Sequence, residues 1–455
     1  MSRALSLPVQ KNERIALTID NLDNRGFGVG RYEGVAVFVE GALPGERVEA
    51  LVIKCAKNYA AAKLLCILDS SADRVESDCG VYEKCGGCSL RHLSYEAQLV
   101  RKRMSVEDAL RRIGGFSDVM VRDTLSARET RRYRNKAQFP VAAGPKIGFY
   151  RRRTHDVIDV ADCPVQTENA MQACAALKDY MVKYNVSVYD EKTGRGLVRH
   201  IMTRVNRKGE IVATIVVNGA KLPKEDALVE IMRSGVSGLI GIVFNENRRR
   251  DNVIMGNSCR TIWGQDRIEE TLCGKSFSIS PLAFFQVNTA QTEVLYEQAR
   301  LAANLNGTET LLDLYCGTGT IGITMADHIQ KLIGIESVAP AVEDAKQNAK
   351  KNGVENAEFY AAKAEDLLPR LAKQGLKADV AVLDPPRGGC EPELLDAVAN
   401  IAPEKIVYVS CNPTTLARDA QILCRSGYKI EYAQPVDLFP MTEHIETVAR
   451  LSKTK

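Results

Sequence analysis

The stretch that most narrows the fold begins near residue 285, where apolar and helical runs take turns. LLDLYCGTGTIGITMA reads as an apolar strand, a glycine-rich turn and the start of a helix. KLIGIES is a second strand, and AVEDAKQNAKKNG a helix stopped by Gly353. DVAVLDPPRGG, LLDAVANIAP and KIVYVSCNP follow as strand, helix and strand. This alternation predicts a parallel sheet covered by helices, because parallel neighbours need a crossover and a helix is the usual one. The ligand edge of such a sheet is the carboxyl end of its strands.

The chemistry falls on that edge. In DLYCGTGT, Gly317 and Gly319 sit where strand turns into helix, and Gly322 completes a G-x-G-x-x-G spacing. Absent side chains let a ligand approach the backbone there. Glu336 ends the next strand, placed to bond ribose hydroxyls, and both nicotinamide and adenosyl cofactors satisfy this much. DPPR (Asp384–Arg387) ends a later strand, its prolines stiffening a loop at the same edge. Such an Asp-Pro-Pro loop resembles that of S-adenosylmethionine methyltransferases acting on planar nitrogenous groups. Cys411 ends the following strand, so topology brings a thiol, an acid and a cofactor loop to one cleft. A thiolate there can add to C6 of a pyrimidine and make C5 nucleophilic towards a methyl donor. A base must then remove the C5 proton; Glu443, His444 and Glu446 in DLFPMTEHIETVARL are the candidates.

Upstream, residues 8–68 hold about five short alternating runs with Asp-Asn, Gly and Pro-Gly turns, which fit a small β-barrel. Residues 94–115 read as an amphipathic helix with Gly114 at its end, and 130–280 alternate strands and helices. Between barrel and helix lie Cys79, Cys85 and Cys88, a C-x5-C-x2-C spacing that predicts a metal site. Cys163, before a proline, is the best fourth ligand, and four thiolates suit zinc or an iron–sulfur cluster. Six scattered cysteines (Cys55, Cys66, Cys174, Cys259, Cys273, Cys424) read as core filler.

At 455 residues, 45% hydrophobic and 26% charged, the chain has the make-up of a soluble multi-domain protein. No leader-like segment and no apolar run of ~18 residues is present, so a cytoplasmic, membrane-free protein is expected. A net charge of +4 says little, but nine Lys/Arg against one acid between Arg128 and His155 mark a candidate phosphate-contacting surface.

These motifs together resemble the bacterial RNA uracil-5-methyltransferases, specifically the 23S ribosomal RNA branch, over nearly the whole chain. GFGVGRYEGVAVFVEGALPGERV is similar to the TRAM domain, and CGVYEKCGGCSLRHLSYEAQLVRKR to the family's cluster loop. YRNKAQFPV and IGFYRRRTHDVIDVADCPVQ resemble its central RNA-binding region, and SPLAFFQVN through LFPMTEHIETV its catalytic domain in order. The resemblance implies a multi-domain α/β protein: an OB-like TRAM barrel over 1–69, a central α+β domain over 70–280 and a Rossmann-like methyltransferase domain over 281–455. The helix near 94–115 is expected to pack on the catalytic domain. Also implied are a 4Fe-4S cluster on Cys79, Cys85, Cys88 and Cys163, structural in role, and S-adenosylmethionine contacts from Gln286, Tyr315, Glu336 and Asp384. Cys411 is the implied nucleophile, and the family's His-x-Glu element selects Glu446 as base. Many relatives carry Asn in the glycine loop where this chain has Thr320. The expected substrate is 23S rRNA, with the T-loop uridine of tRNA as alternative, and the expected state is a monomer with no protein partner. A non-catalytic RNA-binding or ribosome-assembly factor is the reading from a different class.

Overall fold

The computed structural model describes residues 8–454. Five strands, Arg14–Leu22, Gly28–Tyr32, Val35–Glu40, Arg47–Cys55 and Tyr59–Asp69, form a closed barrel in the order first, second, third, fifth, fourth. Alternation drives it: Ile15, Leu17 and Ile19 point inward to meet Val37, Val39, Val48 and Val52. The buried Glu46 carboxylate pins the chain as it leaves the barrel. It accepts from Leu43 N (2.8 Å) and Arg74 Nε (2.5 Å), and Arg74 also donates to Gly41 O.

The central unit is a seven-stranded sheet ordered Ser258–Gly264, Leu239–Glu246, Ile211–Val217, Val198–Val205, Lys136–Ala142, Lys146–Tyr150, Val157–Asp159. Helices Glu168–Lys183 and Glu225–Gly235 join it in one apolar core around Phe139, Leu177 and Ile215.

The catalytic-end sheet has eight strands. Ala357–Ala361, Lys331–Glu336, Thr310–Leu314, Val380–Leu383 and Lys405–Ser410 run parallel, as the alternation requires. Glu446–Lys453 adds antiparallel to them and then Tyr428–Val436 antiparallel to it. The last strand comes from far upstream: Met120–Val121 pairs with Tyr432 and Ala433. The preceding helix, Tyr95–Arg112, is capped by Ser94 and buries Val106, Ala109 and Leu110 in the core of this sheet. Its Lys102 is sealed inside, 2.5 Å from the equally buried Asp437. A segment before the central sheet is thus built into the catalytic sheet.

None of the described helices is long and apolar enough to cross a membrane.

Candidate active site

The parallel strands reverse order beside Thr310–Leu314: the chain first builds outward on one side, then returns to build on the other. A crevice opens at such a switch point, beyond the strand ends. Strand register fills it. Leu314 pairs with Ile335 and with Leu383, so the next rung sets Glu336, Tyr315 and Asp384 in a row across three strands. On the far side Ser410 pairs with Thr447, which puts Cys411 and Glu446 on facing positions one rung further.

Local sequence holds each group. Tyr315, at φ 63°, and Gly317, at φ 54°, turn the chain sharply after the strand. A Cβ on Gly317 would meet no atom within 4 Å, so the space above this turn is open. Glu336 accepts from Gly317 N (3.1 Å) and Val338 N (2.8 Å), which fixes one carboxylate over the loop. Gln286 is buried, and its carbonyl accepts from Asn135 Nδ2 at 2.9 Å. Asn412 caps the helix Pro413–Arg425 by accepting from Thr414 N, and its Nδ2 donates to Arg387 O at 3.0 Å. That bond ties the thiol-bearing turn to the Asp384–Arg387 loop. Thr320 is bonded to the Tyr296 hydroxyl at 2.7 Å, so its side chain is already engaged.

Acids crowd this edge. Burial pushes the Asp384 carboxyl up to about 7. It does the same to Asp313, and Asp384 and Glu336 add to the effect. Asp313 Oδ2 accepts from Gly322 N, while its Oδ1 is buried without a partner. Glu446 is held well above the usual carboxylate range by burial, with Asp384 adding and Arg387 opposing. Burial, then Glu446 and Asp384, push the Cys411 thiol up to about 11, again against Arg387. The resting thiol is therefore protonated. A row of carboxyls with an open glycine turn suits a cationic, ribose-bearing ligand, and S-adenosylmethionine, a sulfonium, fits it. Glu336, the Gly317 turn and Asp384 would hold it, and when bound it supplies an electrophilic methyl group.

Cys411 opens into a cleft of about 550 Å³ lined also by Asp23 and Gly26 of the barrel, Arg101 of the helix Tyr95–Arg112, Arg387 and His444. A second hollow of about 250 Å³ shares Gly26, Glu443 and His444 and reaches Phe27, Cys88 and Arg153. Barrel, cysteine loop and catalytic edge thus face one continuous groove. Phe27 lies between two guanidinium groups, Arg25 at 4.6 Å and Arg153 at 5.0 Å. Glu443 is taken up by Ser89 of the cysteine loop.

The cluster expectation is overturned. Among the described residues no set of three or more His, Cys, Asp or Glu side chains is arranged to hold a metal ion. Cys79, Cys85, Cys88 and Cys163 come within range of one another's charge, and burial raises the Cys85, Cys88 and Cys163 thiols. The loop is held otherwise. Gly86 N donates to Tyr150 O, and Arg152 donates to the carbonyls of Cys85, Tyr82 and Cys88.

Two smaller expectations change as well. Cys55, Cys66 and Cys273 are exposed, not core filler. The basic stretch divides: Arg132 and Arg152 are structural, bonding loop carbonyls, while Arg128, Lys146 and Arg151 stay exposed. Tyr133 and Phe139 lie in the core. Sequence reasoning gave Asn412 and Arg387 no role of their own, although Asn-Pro after a strand is a helix-start signal.

The TRAM domain family matches residues 8–65, and the tRNA (Uracil-5-)-methyltransferase family matches residues 253–454. An uncharacterized RNA methyltransferase of Clostridium tetani is 46% identical over 446 residues, 97% of each chain. The chain belongs to the RNA (uracil-5-)-methyltransferase family with a TRAM domain. A Bacillus cereus RNA methyltransferase, likewise uncharacterized, is 40% identical over 459 residues, all of each chain. Among solved structures, the Pyrococcus abyssi tRNA (uracil-54, C5)-methyltransferase in complex with S-adenosyl-L-homocysteine is similar with a TM-score of 0.78 and 29% identity. That match covers 96% of this chain and 100% of that one. The protein is an S-adenosylmethionine-dependent RNA methyltransferase, and its chemistry is methylation of uridine C5.

Proposed function

We propose that Cys411 is the nucleophile and Glu446 the base of this methyltransferase, and that its substrate is the T-loop uridine of tRNA. The observation that carries the residue roles is the register that sets the buried Glu446 opposite Cys411, which itself opens into the groove. Gln286, Tyr315, Glu336 and Asp384 are proposed to contact the cofactor. The tRNA reading rests on the family that matches the catalytic end and on the Pyrococcus abyssi relative, both described as tRNA enzymes. It takes precedence over the 23S rRNA expectation.

In the proposed sequence the target base is turned out of its stack into the groove. Cys411 gives up its proton to solvent and its sulfur bonds to C6, and the C5=C6 pair moves to give an enolate. Bound S-adenosylmethionine would supply the methyl group that C5 takes, with its sulfonium sulfur as the leaving group. The Glu446 carboxylate takes the C5 proton, the double bond re-forms, and the sulfur leaves as thiolate. A buried carboxylate whose proton is held well above the usual range is a strong base once ionised, which suits Glu446 to this step.

Mapping 5-methyluridine in tRNA and 23S rRNA from cells with and without the gene tests the substrate. Loss at the T-loop uridine supports the reading; loss only in 23S rRNA replaces it. Cys411→Ala is expected to retain cofactor binding and to abolish turnover. Glu446→Gln is expected to accumulate a covalent RNA adduct, visible as a shifted band on denaturing gels; free RNA alone would remove Glu446 from the role of base.

A further inference from the structure

Two cations on the central sheet, Lys136 and Arg204, and Arg134 just before it, have no carboxylate partner among the described residues. Lys136 and Arg204 are directly opposite on neighbouring antiparallel strands. Arg134 precedes Lys136 by two residues, which places it on the same side of an extended chain. The nearby Arg132 and Arg152 pair with Asp162 and Glu40. For Lys136 and Arg204 no carboxylate offsets burial. The Lys136 ammonium is drawn down to about 8 by burial and then by Arg204 and Arg134. Arg204 is 4% exposed; one nitrogen donates to Ala283 O at 2.7 Å, while Nε and Nη1 are shielded without an acceptor.

An uncompensated buried charge is expensive, and three in one place repel each other. The cluster is electrically complete only with an anion. Its position says which kind. Asn135, between Arg134 and Lys136, donates to Gln286 O, and Arg204 holds Ala283 O. The cations therefore lie at the root of the loop that carries Gln286 and the 66% exposed Phe284. Arg134 is also close enough to His444, in the catalytic groove, to act on its charge.

We propose that Arg134, Lys136 and Arg204 form a site for a backbone phosphate of the RNA, beside the nucleotide being methylated. Lys136 and Arg134, both half-buried, reach the phosphate, and Arg204 supplies positive charge behind them. The proposal rests on the RNA-substrate reading above. The same anion chemistry could come from the carboxylate of the methyl donor, so the test separates the two.

Binding of a labelled T-arm hairpin, of an unrelated hairpin of equal length, and of S-adenosylhomocysteine would be measured for the full chain. Lys136→Gln is expected to weaken both hairpins about tenfold and to make the salt dependence shallower by about one phosphate contact, with S-adenosylhomocysteine unaffected. Arg204→Met is expected to weaken RNA in the same way and to raise the Tm of the free protein, because it removes an unpaired buried charge. Unchanged hairpin affinity and slope in Lys136→Gln would overturn the proposal. Loss of S-adenosylhomocysteine binding with RNA affinity kept would overturn it in favour of the cofactor carboxylate. A lowered Tm in Arg204→Met would make that residue structural and remove it from the site. Because binding is read rather than methylation, a protein that binds both hairpins and methylates neither contradicts the proposed function while this test still stands.

Discussion

Cys411 holds its proton at rest, because burial and two acids outweigh the single opposing cation, Arg387. A bound sulfonium adds a second positive charge at the same edge, and the thiol should then ionise more readily. Iodoacetamide labelling of Cys411, followed by mass spectrometry at pH 8, is expected to be slow in the free protein. It should be several-fold faster with S-adenosylmethionine than with S-adenosylhomocysteine, whose sulfur carries no charge. Equal rates with the two ligands would show that cofactor charge does not act on the thiol. The place of this cysteine was legible in the chain, since an apolar strand ending in Ser-Cys-Asn-Pro can only deliver the thiol to a strand end. The difference between Glu443 and Glu446 was not legible in spacing. Register separates the two in place: Glu446 is buried opposite Cys411, whereas Glu443 is spent on Ser89, whose position is distant in sequence.

At the scale of elements, the helix Tyr95–Arg112 shows what amphipathic pattern reveals and what it hides. The apolar stripe of Val106, Ala109 and Leu110 announces a buried face, but the partner that receives it lies at the other end of the chain. Nor does a lysine in a charged run announce that it will be sealed against Asp437, which also accepts from the Tyr95 hydroxyl at 2.9 Å. Removing one member of a fully buried pair strands the other charge, so Asp437→Ala should cost about 3–5 kcal/mol in urea unfolding. Replacing both partners, Lys102→Met with Asp437→Leu, should recover most of that. If Asp437→Ala unfolds like the wild type, the pair contributes nothing to holding the helix. The cysteine loop misleads for a related reason. Its C-x5-C-x2-C spacing is a local signal, while the bonds that hold it come from Arg152, in a turn distant in sequence and invisible to spacing.

Over the whole molecule, the acid-rich edge couples folding to pH and to ligand. Asp313 and Asp384 each sit near 7 in the folded protein, against an ordinary value of 3.8. The folded state therefore keeps protons that the unfolded chain has already released. The stability this confers is complete below the unfolded value and is lost as pH rises through about 7. Calorimetry should show the Tm of the free protein falling between pH 5 and 8, and a shallower fall in Asp384→Asn. Saturating S-adenosylmethionine should flatten it too, since a cation rewards the ionised carboxyls. A Tm independent of pH over this range would contradict the assignment. The placement of Met120–Val121 beside Tyr428–Val436 carries a different consequence, one of timing. A chain made from its amino end produces one edge of the catalytic sheet early and the strand that pairs with it almost last. Until then the upstream helix has an apolar face and a lysine with nowhere to go. The barrel can close during synthesis, but the catalytic sheet must wait for nearly the entire polypeptide. For the same reason residues 281–455 cut out as a module would leave Asp437 without its lysine and the sheet without its last strand, so this enzyme is expected to be made, and lost, as one piece.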